Sequence, residues 1–325
     1  MIKLLKYNVK KIIKSSQLLR EIYNKAQNMI KSIKQVGLAG KSIGLQGLVD
    51  SIINEKNKWS VKKYKNLVGS GNTNKSSISD YEDYKLVCKL AATNEKIFSK
   101  FKSCREYQDI LEHVSYEQGI QYLNLLENLT EEIDQKTIGI IRQDIGKPPK
   151  YSYGKYGRIS PTNLRYATVT KQLFELFGSL DSFIVSEIGV GYGGQASQIC
   201  LTWGIKKYNI YDLNEVIPLA KKYLVKVCEY APIESPDPCT EIYSDLIISN
   251  YAFSELKREV QDIYIRNVVL NSKRGYLIYN SITPKEWKSY TALEFSNLIP
   301  GSQILEETPN TFSGNVLVVW GHKKH

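Results

Sequence analysis

The sequence predicts an α/β fold: a doubly wound, mostly parallel sheet with an antiparallel last strand, behind an all-helical N-terminal region. Three observations predict it. Past residue 157, β-favouring runs near 183–188, 207–212, 245–250, 275–280 and 315–320 alternate with helical patterns at roughly 194–203, 214–229, 256–271 and 284–298. That rhythm is the signature of parallel strands joined by crossover helices. A further strand-like segment at 302–306 precedes the last run, with Gly314 in the turn between them, so a terminal hairpin sets one strand antiparallel. Residues 80–130 carry Leu, Ile, Tyr and Phe at mixed three- and four-residue spacings, which predicts helix throughout. A weak strand is expected near 239–243.

The N-terminal segment has its own character. Ile2, Leu5, Val9, Ile12, Ser16, Leu19, Tyr23, Ala26, Ile30 and Ile33 keep a three-four spacing, with lysines on the other faces. Residues 1–41 hold ten Lys/Arg against Glu21 alone, a charge of +9 out of the chain's +11. A basic amphipathic helix of this kind packs on the rest of the protein, pairs with a second copy in a homodimer, or lies peripherally on anionic membrane. Its aromatics, Tyr7 and Tyr23, do not make the interleaved pattern of a nucleic-acid module, and no nucleic-acid partner is expected. Gly37, Gly40, Gly44 and Gly47 are expected to break the helix. Gly37–Ser42 is no phosphate loop, because two residues separate its glycines where four are needed and no strand precedes it.

A polar linker covers 69–79, and Ser79 with Glu82 reads as a capping box opening the next helix. The Pro-, Gly- and Tyr-rich stretch 147–157 marks a second boundary. The expected domains are a basic amphipathic helical segment 1–70, a helical subdomain 71–150 and a catalytic domain 151–325. Hydrophobic content of 42% and charged content of 24% suit a soluble globular protein, and no apolar run approaches the roughly 18 residues of a membrane span. The N-terminus lacks the apolar core and cleavage site of a secretory signal. The five cysteines (88, 104, 200, 228, 239) form no CxxC pair, so reduced thiols in a cytoplasmic protein are expected. Three histidines exclude a His-rich metal site, and no paired acidic ligands appear; no metal is expected.

The chemistry centres on Glu187-Ile-Gly189-Val-Gly191-Tyr192-Gly193-Gly194-Gln195, which follows the strand near 183–188 and opens a helix. Glycines let backbone approach a ligand closely, and a helix N-terminus offers unpaired N–H groups. Glu187 separates two cofactor classes. A carboxylate just ahead of the glycines repels a dinucleotide diphosphate but suits the cationic amine and sulfonium of S-adenosylmethionine (SAM). Asp212 ends the next strand, 18 residues after Gly194, near the spacing at which an acid bonds ribose hydroxyls. Leu213 follows it. A third strand ends at Asn250, so Asn250, Tyr251 and Glu255 border the same crevice. Asn250-Tyr-Ala-Phe is not the Asn/Asp-Pro-Pro-Tyr/Phe of base and amide N-methyltransferases.

Glu187–Gln195, Tyr211–Leu213, Ser249–Leu256 and the upstream Ile159-Ser-Pro-Thr-Asn-Leu-Arg-Tyr166 together resemble the sugar O-methyltransferase family of bacterial surface-polysaccharide loci (the NanM type). The resemblance spans about 150–325. It implies a Rossmann-like class I methyltransferase sheet, SAM as methyl donor and a sugar or glycan hydroxyl as acceptor. It says nothing of residues 1–75.

On the residues themselves, Glu255 is the first candidate for a general base, with Tyr251 and His322 behind it. Arg165 and Tyr166 are placed to close over cofactor or to bind an anionic sugar or sugar phosphate; Tyr153 and Asn280 complete the expected acceptor site. Two rivals stand beside this reading. An NAD-dependent sugar oxidoreductase shares the glycines and Asp212 but requires a Tyr-x-x-x-Lys pair, whereas Tyr264 is followed by Val268. A non-catalytic SAM-binding scaffold is the other.

Overall fold

The computed structural model describes residues 38–62, 64, 75–130, 132–229 and 232–322. The basic amphipathic segment 1–36, with its homodimer and membrane readings, lies outside the described residues, as does 69–74 of the expected linker. The chain forms two compact units, one of 1–58 with 150–159 and one of 59–149 with 160–325. Helices from 82 to 141 therefore belong to the same unit as the large sheet.

The smaller unit contains helix α1 (Leu38–Asn57) and a hairpin of β1 (Tyr151–Ser152) and β2 (Arg158–Ile159). Asp50 is fully buried, accepts the Ser152 N–H at 2.8 Å and pairs with Arg158. One turn on, Asn54 exchanges two hydrogen bonds with the backbone of Lys150. Gly40, Gly44 and Gly47 do not break this helix, contrary to expectation. Each costs about 1 kcal/mol in a helix interior, and tertiary anchoring of Asp50 and Asn54 outweighs that cost.

In the larger unit the run expected to be helical from 80 to 130 is several helices. α2 (Glu82–Thr93) ends at Asn94, whose side chain caps the short helix Glu95–Phe98. Ser115 and Gln118 form a capping box that starts α3 (Tyr116–Asn128). The predicted box at Ser79 and Glu82 does not form: Tyr81 precedes α2, Ser79 bonds Ser77, and Asp80 accepts from Ser76.

The sheet contains β3 (Ile184–Ile188), β4 (Lys207–Tyr211), β5 (Ile233–Glu234), β6 (Leu246–Asn250), β7 (Gly275–Tyr279), β8 (Gln303–Glu306) and β9 (Val316–Trp320). Their order is β5-β4-β3-β6-β7-β9-β8, parallel except for β9. This is the Rossmann-like sheet with an inserted antiparallel strand that the sequence predicts. Between the strands run α4 (Pro161–Phe177, ahead of β3), α5 (Gly194–Thr202), α6 (Ile217–Val227), α7 (Arg258–Tyr264) and α8 (Ala292–Asn297). α7 passes into a π turn, Ile265–Val269. Two expectations need correction. No strand forms at 239–243, and the edge strand is β5 instead. The helix expected over 284–298 is one turn at Lys285–Trp287 followed by α8, because Thr291 and Glu294 make a fresh capping box.

The central strands are buried on both faces, as crossover helices require. Val185, Tyr208, Ile210, Leu246 and Ile248 pack with Val169, Leu173, Ala196, Ile199 and Leu224 of α4, α5 and α6. Ile188, Ile247, Leu277 and Val318 face the other way, onto Tyr264, Val268 and Phe295. Each such aliphatic side chain contributes roughly 1.5–3 kcal/mol by burial.

Gly275 sits in β7 directly opposite Trp320, where an added Cβ meets the indole at 2.1 Å. Gly275→Ala is expected to cost about 1–3 kcal/mol through overpacking. Chemical denaturation checks this, and an unchanged midpoint would show that the indole has room to move.

Candidate functional site

The crevice lies beyond the carboxyl ends of the parallel strands, where the residues following β3, β4, β6 and β7 (Gly189, Asp212, Tyr251 and Asn280) all line it. Its volume is about 520 Å³. The opposite wall comes from 76–79, from the turn and loop 109–114 and from Gln118 and Tyr122 of α3, and one side from Thr311, Phe312 and Asn315 of the β8–β9 connection.

The glycine loop is held by backbone. Gly189 and Val190 donate to the Tyr211 carbonyl at 2.8 and 3.2 Å, and Gly191 donates to the Asp212 carboxylate at 2.8 Å. The second Asp212 oxygen accepts from Leu213 N at 2.7 Å. Burial raises the Asp212 pKa to about 6 against the pull of those two N–H groups. Gly189 has φ +80°, and a Cβ there comes within 2.0 Å of the Ala252 Cβ. Only glycine lets the β3 and β6 crests meet this closely.

Gly193, Gly194 and Gln195 sit one step behind the crevice. Gln195 is buried and donates to Thr170 Oγ1 (2.9 Å), while its carbonyl oxygen accepts from Asn250 at 3.4 Å. Asn250 lines the crevice with a buried Oδ1 that no protein group satisfies. Tyr192 and Tyr166 do not reach it. They pack edge-to-face behind the loop, with Tyr223 against Tyr192 and the Lys102 ammonium 3.6 Å from the Tyr192 ring centroid.

Glu187 also stays out of the crevice wall, contrary to its expected place against the cofactor. It points to the buried α4–α6 face and accepts the Tyr208 hydroxyl at 2.8 Å. Burial pushes its pKa up to about 8, the Tyr208 bond opposing and the nearby Asp212 adding to the rise.

Among the catalytic candidates, Glu255 lines the crevice and accepts from Asn280 Nδ2 at 2.7 Å. Burial raises its pKa, which the Asn280 bond only partly offsets. Ser254 donates to the Tyr251 carbonyl at 2.7 Å, and Lys257 precedes α7. Tyr251 lies in the crevice with φ +71°, its hydroxyl donating to Glu307 and lying 3.1 Å from the Thr311 hydroxyl. Burial drives that phenol far above its usual pKa, so Tyr251 is a poor base. His322 is a correction of place: it follows β9, which is antiparallel, and so lies at the amino ends of the parallel strands. Tyr153 lies in the hairpin segment of the smaller unit and is no lining residue.

Sequence reasoning passed over His113, Gln118, Tyr122, Ser76–Ser79 and Thr311–Asn315, all from segments remote in sequence from the glycines. His113 is more than a third exposed, yet lines the crevice; burial of the ring, then the charge of Arg165, lowers its pKa.

No protein-family model matches the chain, and no curated protein does. Among solved structures it is similar to the magnesium protoporphyrin IX methyltransferase of Synechocystis PCC 6803 with bound SAM: 15% identity, 48% of this chain and 76% of that one, TM-score 0.38. It is also similar to a SAM-dependent methyltransferase of Aquifex aeolicus, with 15% identity, 46% and 87% covered and TM-score 0.34. The phosphoethanolamine N-methyltransferase 2 of Haemonchus contortus gives 16% identity, 42% and 38% covered and TM-score 0.34. The strand order, and not these likenesses, carries the fold assignment.

The raised Glu187 pKa has a stability consequence. The unfolded carboxyl ionises near the ordinary glutamate value of 4.5, the folded one only at about 8, so the folded state binds the extra proton between them. Stability from this group therefore falls as pH rises from about 4.5 to 8, by at most about 1.4 kcal/mol per pH unit. Glu187→Gln is expected to flatten that decline in denaturant titrations at pH 5, 6, 7 and 8; a parallel decline in the variant would refute the assignment.

Proposed function

We propose that the chain is a SAM-dependent O-methyltransferase whose acceptor is a sugar hydroxyl of a bacterial surface polysaccharide or its precursor. The observation that carries this reading is the pairing, in one crevice, of Asp212 beside the glycine loop with Glu255 beside Asn280. The first is a nucleoside anchor, the second a shielded base. The four sequence blocks shared with sugar O-methyltransferases support the choice of acceptor, and the antiparallel β9 argues against a dinucleotide dehydrogenase.

In this reading Asp212 binds the ribose hydroxyls, with Gly189, Gly191 and Leu213 as the wall against which the nucleoside lies. The unsatisfied Oδ1 of Asn250 accepts from the donor's ammonium group. Tyr192, Gly193, Gly194 and Gln195 shape the loop from behind, and Glu187 acts through Tyr208 and β4. SAM, when bound, supplies a methyl already activated by its sulfonium. What remains for the protein is to hold the acceptor oxygen in line and to take its proton.

Glu255 takes that proton. Asn280 fixes the carboxylate through Oε1 and leaves Oε2 for the acceptor, and burial makes the carboxylate more basic than one in water. His113 is a second reading for the base, favoured by its depressed pKa, which keeps the ring neutral at pH 7. The reading implies a cytoplasmic protein, and no described helix is long and apolar enough to cross a membrane.

Titration calorimetry with SAM, S-adenosylhomocysteine and NAD tests the donor. S-adenosylhomocysteine is expected to bind and to weaken about tenfold or more in Asp212→Ala, since a buried acceptor pair is lost; binding of NAD instead would overturn the reading. Transfer from methyl-labelled SAM to a panel of sugars, sugar phosphates and surface glycans tests the acceptor. Glu255→Gln is expected to lower turnover by about 10²–10⁴ while leaving S-adenosylhomocysteine affinity intact. The wild-type rate should rise with pH through an apparent pKa above the usual carboxylate range. If Glu255→Gln keeps the activity and His113→Gln loses it, with a profile that instead breaks at about 4, the base is His113.

A further inference from the structure

Arg165 is 5% exposed and projects from α4 into the crevice wall. Among the described residues it is the one Lys or Arg that lines the crevice, beside the acids Asp109, Asp212 and Glu255. Its buried Nε has no hydrogen-bond partner, and among the described residues no carboxylate lies within ion-pair distance of the guanidinium. The nearby acids make their hydrogen bonds elsewhere, although Glu112 feels the Arg165 charge. Glu112 accepts from Ser160 at 3.2 Å and faces Lys102 at 3.9 Å, while Glu307 accepts from Tyr251, Thr311 and Asn315.

The guanidinium is instead flanked by rings, 5.1 Å from the Tyr166 centroid and 6.0 Å from that of Tyr251. Aromatic faces hold a guanidinium by cation–π attraction, and beside its interaction with the Tyr166 hydroxyl Arg165 keeps N–H groups for a planar or tetrahedral anion. A buried cation without a counter-ion is costly and persists where function needs it. Besides Tyr166, which packs against the glycine loop, the neighbours of Arg165 are Tyr251, at the tip of β6, Tyr122 of α3 and His113 of the loop before it.

We propose that Arg165 is the anion-recognition residue of the acceptor site, so that the methylated molecule carries a carboxylate or phosphate, as a uronate or a sugar phosphate does. The proposal rests on the methyltransferase reading for the word acceptor, but the anion subsite itself does not depend on it. Arg165 selects among sugars by a charge that neutral hexoses lack, and orients the sugar by two fixed bonds before the hydroxyl meets Glu255.

The test uses the full chain saturated with S-adenosylhomocysteine, titrated with glucuronate, inorganic phosphate and glucose in wild type, Arg165→Gln and Arg165→Lys. Glucuronate or phosphate is expected to bind wild type and to weaken about tenfold or more in Arg165→Gln, as loss of a hydrogen bond to a charged group predicts. Arg165→Lys, which keeps the charge but not the fork, should fall between, and glucose should not respond to either change. Unchanged S-adenosylhomocysteine affinity in the variants shows that the crevice is intact; should Arg165→Gln fail to fold, the Arg165→Lys series decides. Equal anion binding in wild type and variants, or none in wild type, overturns the proposal. So does a loss of S-adenosylhomocysteine affinity with 5′-methylthioadenosine affinity spared, because Arg165 then reads the cofactor's own carboxylate. If wild type binds no nucleoside at all, the methyltransferase reading fails, and the phosphate titration without nucleoside still decides the anion subsite.

Discussion

The carboxylate of Asp212 receives the N–H of Gly191 on one oxygen and that of Leu213 on the other. Those two bonds join the tip of β3 to the tip of β4 and set the glycine loop at a fixed height above the sheet. The rest of the crevice is arranged around that junction. With the loop pinned, Gly189 can lie against Ala252, which brings the β6 crest, and with it Asn250, Tyr251 and Glu255, alongside. The same carboxylate is the group expected to bond a ribose. A ligand therefore shares an oxygen already committed to the backbone, and its arrival needs little reorganisation of the loop.

Local signals in the chain were enough for this half of the site. The strand, glycines and helix from Ile184 to Thr202, the acid at 212 and the Asn250 crest each occupy a short, contiguous stretch whose backbone consequences are set by its own residues. The antiparallel β9 was legible for the same reason, as Gly314 and two short apolar runs make a hairpin nearly unaided. Helix breaks were less so. Thr291 restarts a helix through a cap three residues long, and Asp50 rescues a glycine-rich one through a hairpin about a hundred residues away.

Side-chain direction was the part that sequence left open. A strand buried on both faces offers no polar-apolar alternation, so nothing local told that Glu187 points to Tyr208 rather than to the crevice. His322 failed through direction as well: a residue beyond a strand's carboxyl end reaches the ligand only when that strand runs parallel to its neighbours, and β9 does not. His113 and Thr311 were invisible because a wall assembled from segments nearly two hundred residues apart has no signature in either segment alone.

That division of the walls has a consequence for how such a protein diversifies. The glycine-loop end of the crevice is built from the tips of β3 and β4, where a change at Gly189, Gly191 or Asp212 disturbs the sheet beneath it. Much of the far wall is the connection between β8 and β9, held together by Glu307 as acceptor for Tyr251, Thr311 and Asn315. Phe312 projects from it, 67% exposed at the mouth. A lineage can exchange residues around Phe312, or lengthen that connection, at the cost of one local hydrogen-bonded knot and with no change to the sheet's register. The last hairpin is thus a jaw that can be rebuilt on an unchanged frame, one loop at a time.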